Sequence, residues 1–145
     1  NTHEKGILRK SIAPAILDLI TLKKIQTLTK GYAKVLNLRG LLTIEMFELH
    51  DGKILFNEIA PRPHNSFHWT IEGCKNSQFK ILIKSICGYP LKDELSLGQW
   101  KMENILGKEV NKENNLFITK NSFCHIYGKK FIKSGRKMGH FTQKI

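Results

Sequence analysis

Two glutamates, Glu45 and Glu58, lie in strand-like runs on either side of His50-Asp51-Gly52-Lys53. An Asp-Gly pair between such runs is a strong hairpin signal. With Asp51 and Gly52 as the two central turn residues, or with a four-residue loop, Glu45 faces Glu58; a three-residue loop would slip the pairing by one. Facing residues have Cβ atoms about 4.5–5.5 Å apart, where two like charges are destabilising. The cost is relieved by protonating one carboxyl, by a nearby Lys or Arg, or by a cation between the two. Paired carboxylates suit a hard divalent ion such as magnesium, which binds one or two of them together with water and phosphate oxygens. The alternative is a pair of solvated glutamates on a wet face. Phe47, Leu49, Ile54 and Phe56, expected on the same face as the two acids, favour a buried setting, in which an acid needs a partner.

The residues just after Glu58 add chemistry. Asn57 offers an amide beside it, and Arg62, His64 and Asn65 follow in a loop stiffened by Pro61 and Pro63. Such a loop can hold a guanidinium, an imidazole and an amide towards an anion at small ordering cost. Taken alone, His64 reads more readily as a structural or surface histidine than as a ligand; among these neighbours a binding role is expected. Far along the chain, Lys129, Lys130, Lys133, Arg136 and Lys137 form a basic run, which by itself is a solvated face or a nucleic-acid contact.

The elements that must carry these groups are legible in outline. Residues 7–14 read as a short strand ending at Pro14. From Ala15 to Val35, Ile16, Leu17, Ile20, Leu22, Ile25, Leu28, Tyr32 and Val35 recur at three- and four-residue intervals. That spacing predicts an amphipathic helix, in one piece or two, with Lys23, Lys24, Lys30 and Lys34 on the wet side. The hairpin follows. Residues 77–87 predict a short helix stopped by Gly88 and Pro90. After a polar linker, the runs WKMENIL, NLFI, FCHIYGK and KMGHFTQ predict a small β-rich appendage. The expected division is 1–95 and 96–145.

Composition bounds the rest. The chain has 145 residues, 41% hydrophobic and 25% charged, and carries a formal net charge of +12. A soluble globular class is expected, without a membrane span or a secretory signal. The three cysteines, Cys74, Cys87 and Cys124, have no CxxC spacing; they read as reduced, small core residues of a cytoplasmic protein and argue against zinc. The positive surplus points to anionic partners: nucleic acid, nucleotides or sugar phosphates. Phe123, Tyr127 and Phe131 among lysines keep a small basic nucleic-acid-binding module as a rival reading.

The stretches NEIAPRPHNS, HWTIEGC and SQF, with NTHEKGIL, GLLTIEMF and YGKKFIKSGRKMGH, resemble the 5-(carboxyamino)imidazole ribonucleotide synthases. These are the ATPase subunits of phosphoribosylaminoimidazole carboxylase in purine biosynthesis, within the ATP-grasp superfamily. The resemblance runs from about residue 1 to 143. It implies an α+β fold, the C-terminal lobe of an ATP-grasp domain followed by a small β-rich C-terminal domain. It also implies an ATP-dependent ligase that uses bicarbonate to carboxylate 5-aminoimidazole ribonucleotide, releasing ADP and phosphate. Glu45 and Glu58 match acids that hold magnesium, or manganese, against ATP. His3 and Asn57, with Glu58, match residues at the nucleotide. Arg62, His64 and Asn65 match the loop that meets the ribonucleotide and the bicarbonate-derived group, and Lys129 and Arg136 match cations that grip the ribonucleotide 5′-phosphate. No nucleic acid or membrane partner is implied, and a homodimer is expected for the full-length enzyme. The family's glycine-rich nucleotide-binding half would precede residue 1, so the chain reads as a C-terminal portion that binds ATP weakly and does not turn over alone. Another ATP-grasp ligase would share the acid pair but not GRKMGH. The family commonly has Gly where this chain has Phe67, a position at which a glycine-like φ would strain a bulky residue.

Overall fold

A computed structural model describes residues 1–92, 95–112 and 121–145. The chain forms two compact units, one of Asn1–Pro14, Ser66–Ser77 and Glu94–Ile145, the other of Ala15–Asn65 and Gln78–Asp93. These units cut across the boundary at 95/96, because strands from both ends of the chain share one sheet.

That sheet has the order β1-β2-β5-β7-β6, all antiparallel. Its strands are β1 (Thr2–Glu4), β2 (Ile7–Ala13), β5 (Trp100–Leu106), β6 (Ser122–Ile126) and β7 (Lys137–Lys144). The strands expected from ILRKSIAP, WKMENIL, FCHIYGK and KMGHFTQ are therefore present; the NLFI run lies outside the described residues. A short helix, α2 (Thr70–Gly73), was not legible in the sequence. Leu8, Ala13, Trp69, Trp100 and Met102 form one apolar cluster, and Ile105, Val110 and Met138 another. Gly139 is required where β7 passes β6: a Cβ there would lie 2.4 Å from the His125 carbonyl oxygen. Arg9 forks onto Glu109 at 3.1 and 3.0 Å, and its guanidinium pKa is raised chiefly by that hydrogen bond. Phe67 takes no positive φ; its ring stacks beside Trp69 at 6.5 Å, so the strain expected from a bulky residue at this position is absent.

The second unit holds α1 (Leu19–Val35), the hairpin β3 (Thr43–Glu48) and β4 (Ile54–Ala60), and α3 (Gln78–Ile86). The first helix starts four residues later than expected. Asp18 is extended and caps it, its carboxylate accepting from the N–H groups of Ile20 and Thr21; the Thr21 side chain foremost, and then these N–H groups, lower the Asp18 pKa. The helix runs through Gly31 unbroken, and the four lysines are exposed as expected. Its inward line differs from the apolar stripe: Thr21, Ile25, Thr29 and Ala33 are the less exposed positions, whereas Ile20 and Val35 are largely exposed. The second helix ends as expected. Gly88 takes φ +70, its N–H donates to the Ser85 carbonyl, and that of Tyr89 to the Lys84 carbonyl, a Schellman-type closure.

No disulfide forms. Cys87 and Cys124 are exposed and Cys74 half-buried, so the expectation of core cysteines holds for neither of the first two. No helix among the described residues is long and apolar enough to cross a membrane.

Candidate metal and anion site

The hairpin closes through a three-residue loop, His50 to Gly52, with the Leu49 N–H donating to the Lys53 carbonyl and Gly52 at φ +75. By itself this loop slips the register, and Met46, Phe47 and Glu48 do pair with Phe56, Leu55 and Ile54. Between Glu45 and Met46 the register shifts again, so that Glu45 pairs with Glu58 and Ile44 with Ile59. Asn57 is the extra residue. This β-bulge restores the pairing that the loop alone would have broken.

The bulge also moves side chains between faces. Alternation places Glu45, Glu58, Phe47 and Leu55 on one face, and Met46, Glu48, Ile54 and Phe56 on the other. Ile54 and Phe56 therefore do not share the face of the two acids, as a bulge-free ladder would require. The second face receives α1: Tyr32 lies 5.9 Å from Phe56, and the Thr21 hydroxyl donates to Glu48. The apolar neighbours are not deeply buried either, with Phe47 and Phe56 53% and 49% exposed.

Burial of the acids themselves is unequal. The Glu45 side chain is 11% exposed and that of Glu58 48%. Between them sits the His64 ring, with Nδ1 3.5 Å from Glu45 Oε1 and Nε2 3.4 Å from Glu58 Oε1. Asn57 Nδ2 donates to Glu45 Oε2 at 3.4 Å, and Arg62 reaches Glu58 at 3.8 Å while donating to the Pro63 carbonyl. Glu45 Oε1 is buried and has no hydrogen-bond donor. One ligand atom from each of Glu45, Glu58 and His64 lies within 4.8 Å of the others, the one such cluster among the described residues. A buried acceptor lacking a donor, beside two further ligand atoms, fits a divalent cation held by carboxylate oxygen.

The remaining expected site residues are spread over both units. Asn65 is half-buried and opens a single 3₁₀ turn, Asn65–Phe67. His3 is exposed on β1. Lys129 and Arg136 belong to the loop joining β6 and β7; Lys129 Nζ donates to the Lys137 carbonyl and lies 5.2 Å from the Tyr127 ring centre, and Arg136 donates to the Phe131 carbonyl.

Nothing in the sequence signals the imidazole cluster around buried His140 in the first unit. His125 and His140 stack with ring centres 4.6 Å apart, His68 lies 5.0 Å from His140, and the Tyr127 hydroxyl is 2.8 Å from His140 Nδ1. Glu72 meets His125 Nε2 at 2.6 Å. Burial, aided by the charges of His68 and His125, lowers the His140 pKa to about 3.

Residues 1–79 match the ATP-grasp domain family, and residues 101–143 match the phosphoribosylaminoimidazole carboxylase C-terminal domain. The N5-carboxyaminoimidazole ribonucleotide synthase of Bacillus subtilis is 45% identical over 143 residues, 98% of this chain and 38% of that protein. A bifunctional purine synthesis protein of Dictyostelium discoideum is 40% identical, covering 99% of this chain and 16% of its own length. Among solved structures, the Aspergillus clavatus N5-carboxyaminoimidazole synthase in complex with ADP and 5-aminoimidazole ribonucleotide superposes with a TM-score of 0.91 at 32% identity, over 99% of this chain and 40% of that one. The chain thus spans about two fifths of the B. subtilis relative's length. More than half of it lies in the matched ATP-grasp domain, so the chain belongs to the ATP-grasp family, and over nearly its whole length it resembles the N5-carboxyaminoimidazole ribonucleotide synthases.

Proposed function

We propose that this chain is the cation- and substrate-binding portion of an ATP-grasp ligase that carboxylates the exocyclic amine of 5-aminoimidazole ribonucleotide. ATP phosphorylates bicarbonate, the amine takes the carboxyl group, and ADP and phosphate leave. The observation that carries the reading is the convergence of Glu45, Glu58 and His64, with a buried Glu45 oxygen that no hydrogen bond satisfies. Magnesium, when bound, would neutralise phosphate charge and orient the transfer.

The residues then divide the work. Glu45 and Glu58 hold the cation, and Asn57, bulged beside Glu58, steadies the Glu45 carboxylate and reaches the nucleotide. His3 is the second nucleotide contact. Arg62, His64 and Asn65 meet the bicarbonate-derived group and the ribonucleotide, the guanidinium supplying a planar fork for an oxyanion. Lys129 and Arg136 bind the 5′-phosphate, one as a point charge and one as a bidentate donor. The sequence modules 1–95 and 96–145 carry the nucleotide and the phosphate functions respectively. A cytoplasmic homodimer is the expected state of the whole enzyme.

The test replaces the matching segment of the B. subtilis relative with this chain. ADP release that requires both bicarbonate and 5-aminoimidazole ribonucleotide supports the reading. A monodisperse hybrid that binds ATP and hydrolyses none of it when both co-substrates are present overturns it.

A further inference from the structure

His64 is held at its backbone as well as at its ring. Its N–H donates to Gln78 Oε1 at 2.8 Å, and its carbonyl accepts from Gln78 Nε2 at 2.9 Å. Both residues are buried, Gln78 to 3% exposure and His64 to 9%. One side chain thus gives His64 the pair of hydrogen bonds that a neighbouring strand would give. A peptide N–H is met only by an acceptor and a peptide carbonyl only by a donor, so the two ends of one carboxamide satisfy both. An ionised glutamate offers two acceptors and would turn the second contact repulsive. Asparagine lacks a methylene of reach. Breaking either bond would take a hydrogen bond from a buried backbone group, at the cost of that bond.

The consequence lies in the ring direction. Pro63 fixes its own φ immediately before His64, and the two-point contact fixes the next peptide, so the side chain leaves a backbone with little freedom. Gln78 opens α3, which places the anchor on a regular element instead of a loop. The ring so directed has one nitrogen towards each glutamate.

We propose that Gln78 is a positioning residue for His64, holding the imidazole between Glu45 and Glu58 through the backbone. The proposal rests on the cation-site reading for its use but not for its first measurement. In the metal-free chain with labelled histidine, the His64 ring signal is identified by its loss in His64→Ala. Gln78→Met keeps side-chain length and removes both hydrogen bonds, and Gln78→Glu keeps the acceptor and removes the donor. Both variants should displace the His64 ring signal and abolish its contacts with the Glu45 and Glu58 side chains. The His125 and His140 signals should stay in place and report an intact fold.

Manganese alone is the second probe. Gln78→Met and His64→Ala should each weaken Mn²⁺ binding by about 10–100-fold, the range for losing a group that orients a metal site, and the double variant should lose no more than either. An unmoved His64 signal in Gln78→Glu, or losses that add in the double variant, overturns the proposal. If the unsubstituted chain binds no Mn²⁺ while the Gln78 variants still release the ring, the cation reading fails and the positioning role stands. If Gln78→Met does not fold, the near-isosteric Gln78→Glu decides.

Discussion

Glu45 faces Glu58 across the hairpin because Asn57, bulged out of β4, makes good the one-residue slip that the three-residue turn introduces. Two irregularities of opposite effect leave the acids in register. The pairing therefore depends on the bulge, and the cation site inherits that dependence.

Either acid should be dispensable for folding and necessary for the ion. Glu45→Gln and Glu58→Gln are expected to weaken Mn²⁺ binding at least about tenfold, measured by the paramagnetic signal of free Mn²⁺. The melting temperature should change little, because each amide removes a charge from a pair of like charges. Tight Mn²⁺ binding by the double substitution would sink the assignment.

His140 makes stability depend on pH. Its pKa falls from the ordinary 6.5 to about 3 on folding, so between those values the unfolded chain binds the extra proton. The contribution is complete above about pH 6.5 and is lost as pH falls towards 3, by up to about 1.4 kcal/mol per pH unit. Urea unfolding at pH 7.5, 6, 5 and 4 should show this slope, and His140→Gln should flatten it. An equal slope in the variant would assign the effect elsewhere.

Gly139→Ala should separate β6 from β7. The added methyl meets the backbone oxygen of His125, which cannot move without breaking the pairing. A loss of about 1–3 kcal/mol is expected, together with faster amide exchange in residues 122–126. Unchanged exchange there would contradict the packing.

In the B. subtilis hybrid, Arg136→Ala should raise the KM for the ribonucleotide by about 10–100-fold, the worth of a charged hydrogen bond, and leave the KM for ATP alone. Lys129→Ala should do the same more weakly. An effect on ATP instead would move both cations to the nucleotide.

What was legible followed local rules. The Asp-Gly turn, the Gly88 stop and the strand-like runs ILRKSIA and KMGHFTQ each depend on a few neighbouring residues, and each element formed where expected. The acid pair was also legible, though by a different route: the expected register ignored the bulge, and a ladder without it would have put Ile54 and Phe56 on the wrong face. Periodicity misjudged α1 because apolar spacing marks a face without saying what covers it; the line turned inward is Thr21, Ile25, Thr29 and Ala33. Gln78 and the imidazole stack were hidden for another reason. A glutamine at a helix start and three scattered histidines acquire meaning only when residues far apart in sequence become neighbours.

The sheet order carries a consequence for synthesis. Lys10 pairs with Glu103, so β2 waits for a partner about ninety residues later in the chain, while β3 and β4 need only a three-residue turn. Closing the longer loop costs more chain entropy and comes later. On the ribosome the acid-bearing hairpin can form as soon as it emerges. β2 remains an unpaired edge on its β5 side until Trp100–Leu106 has emerged, and in that interval this edge is exposed to aggregation.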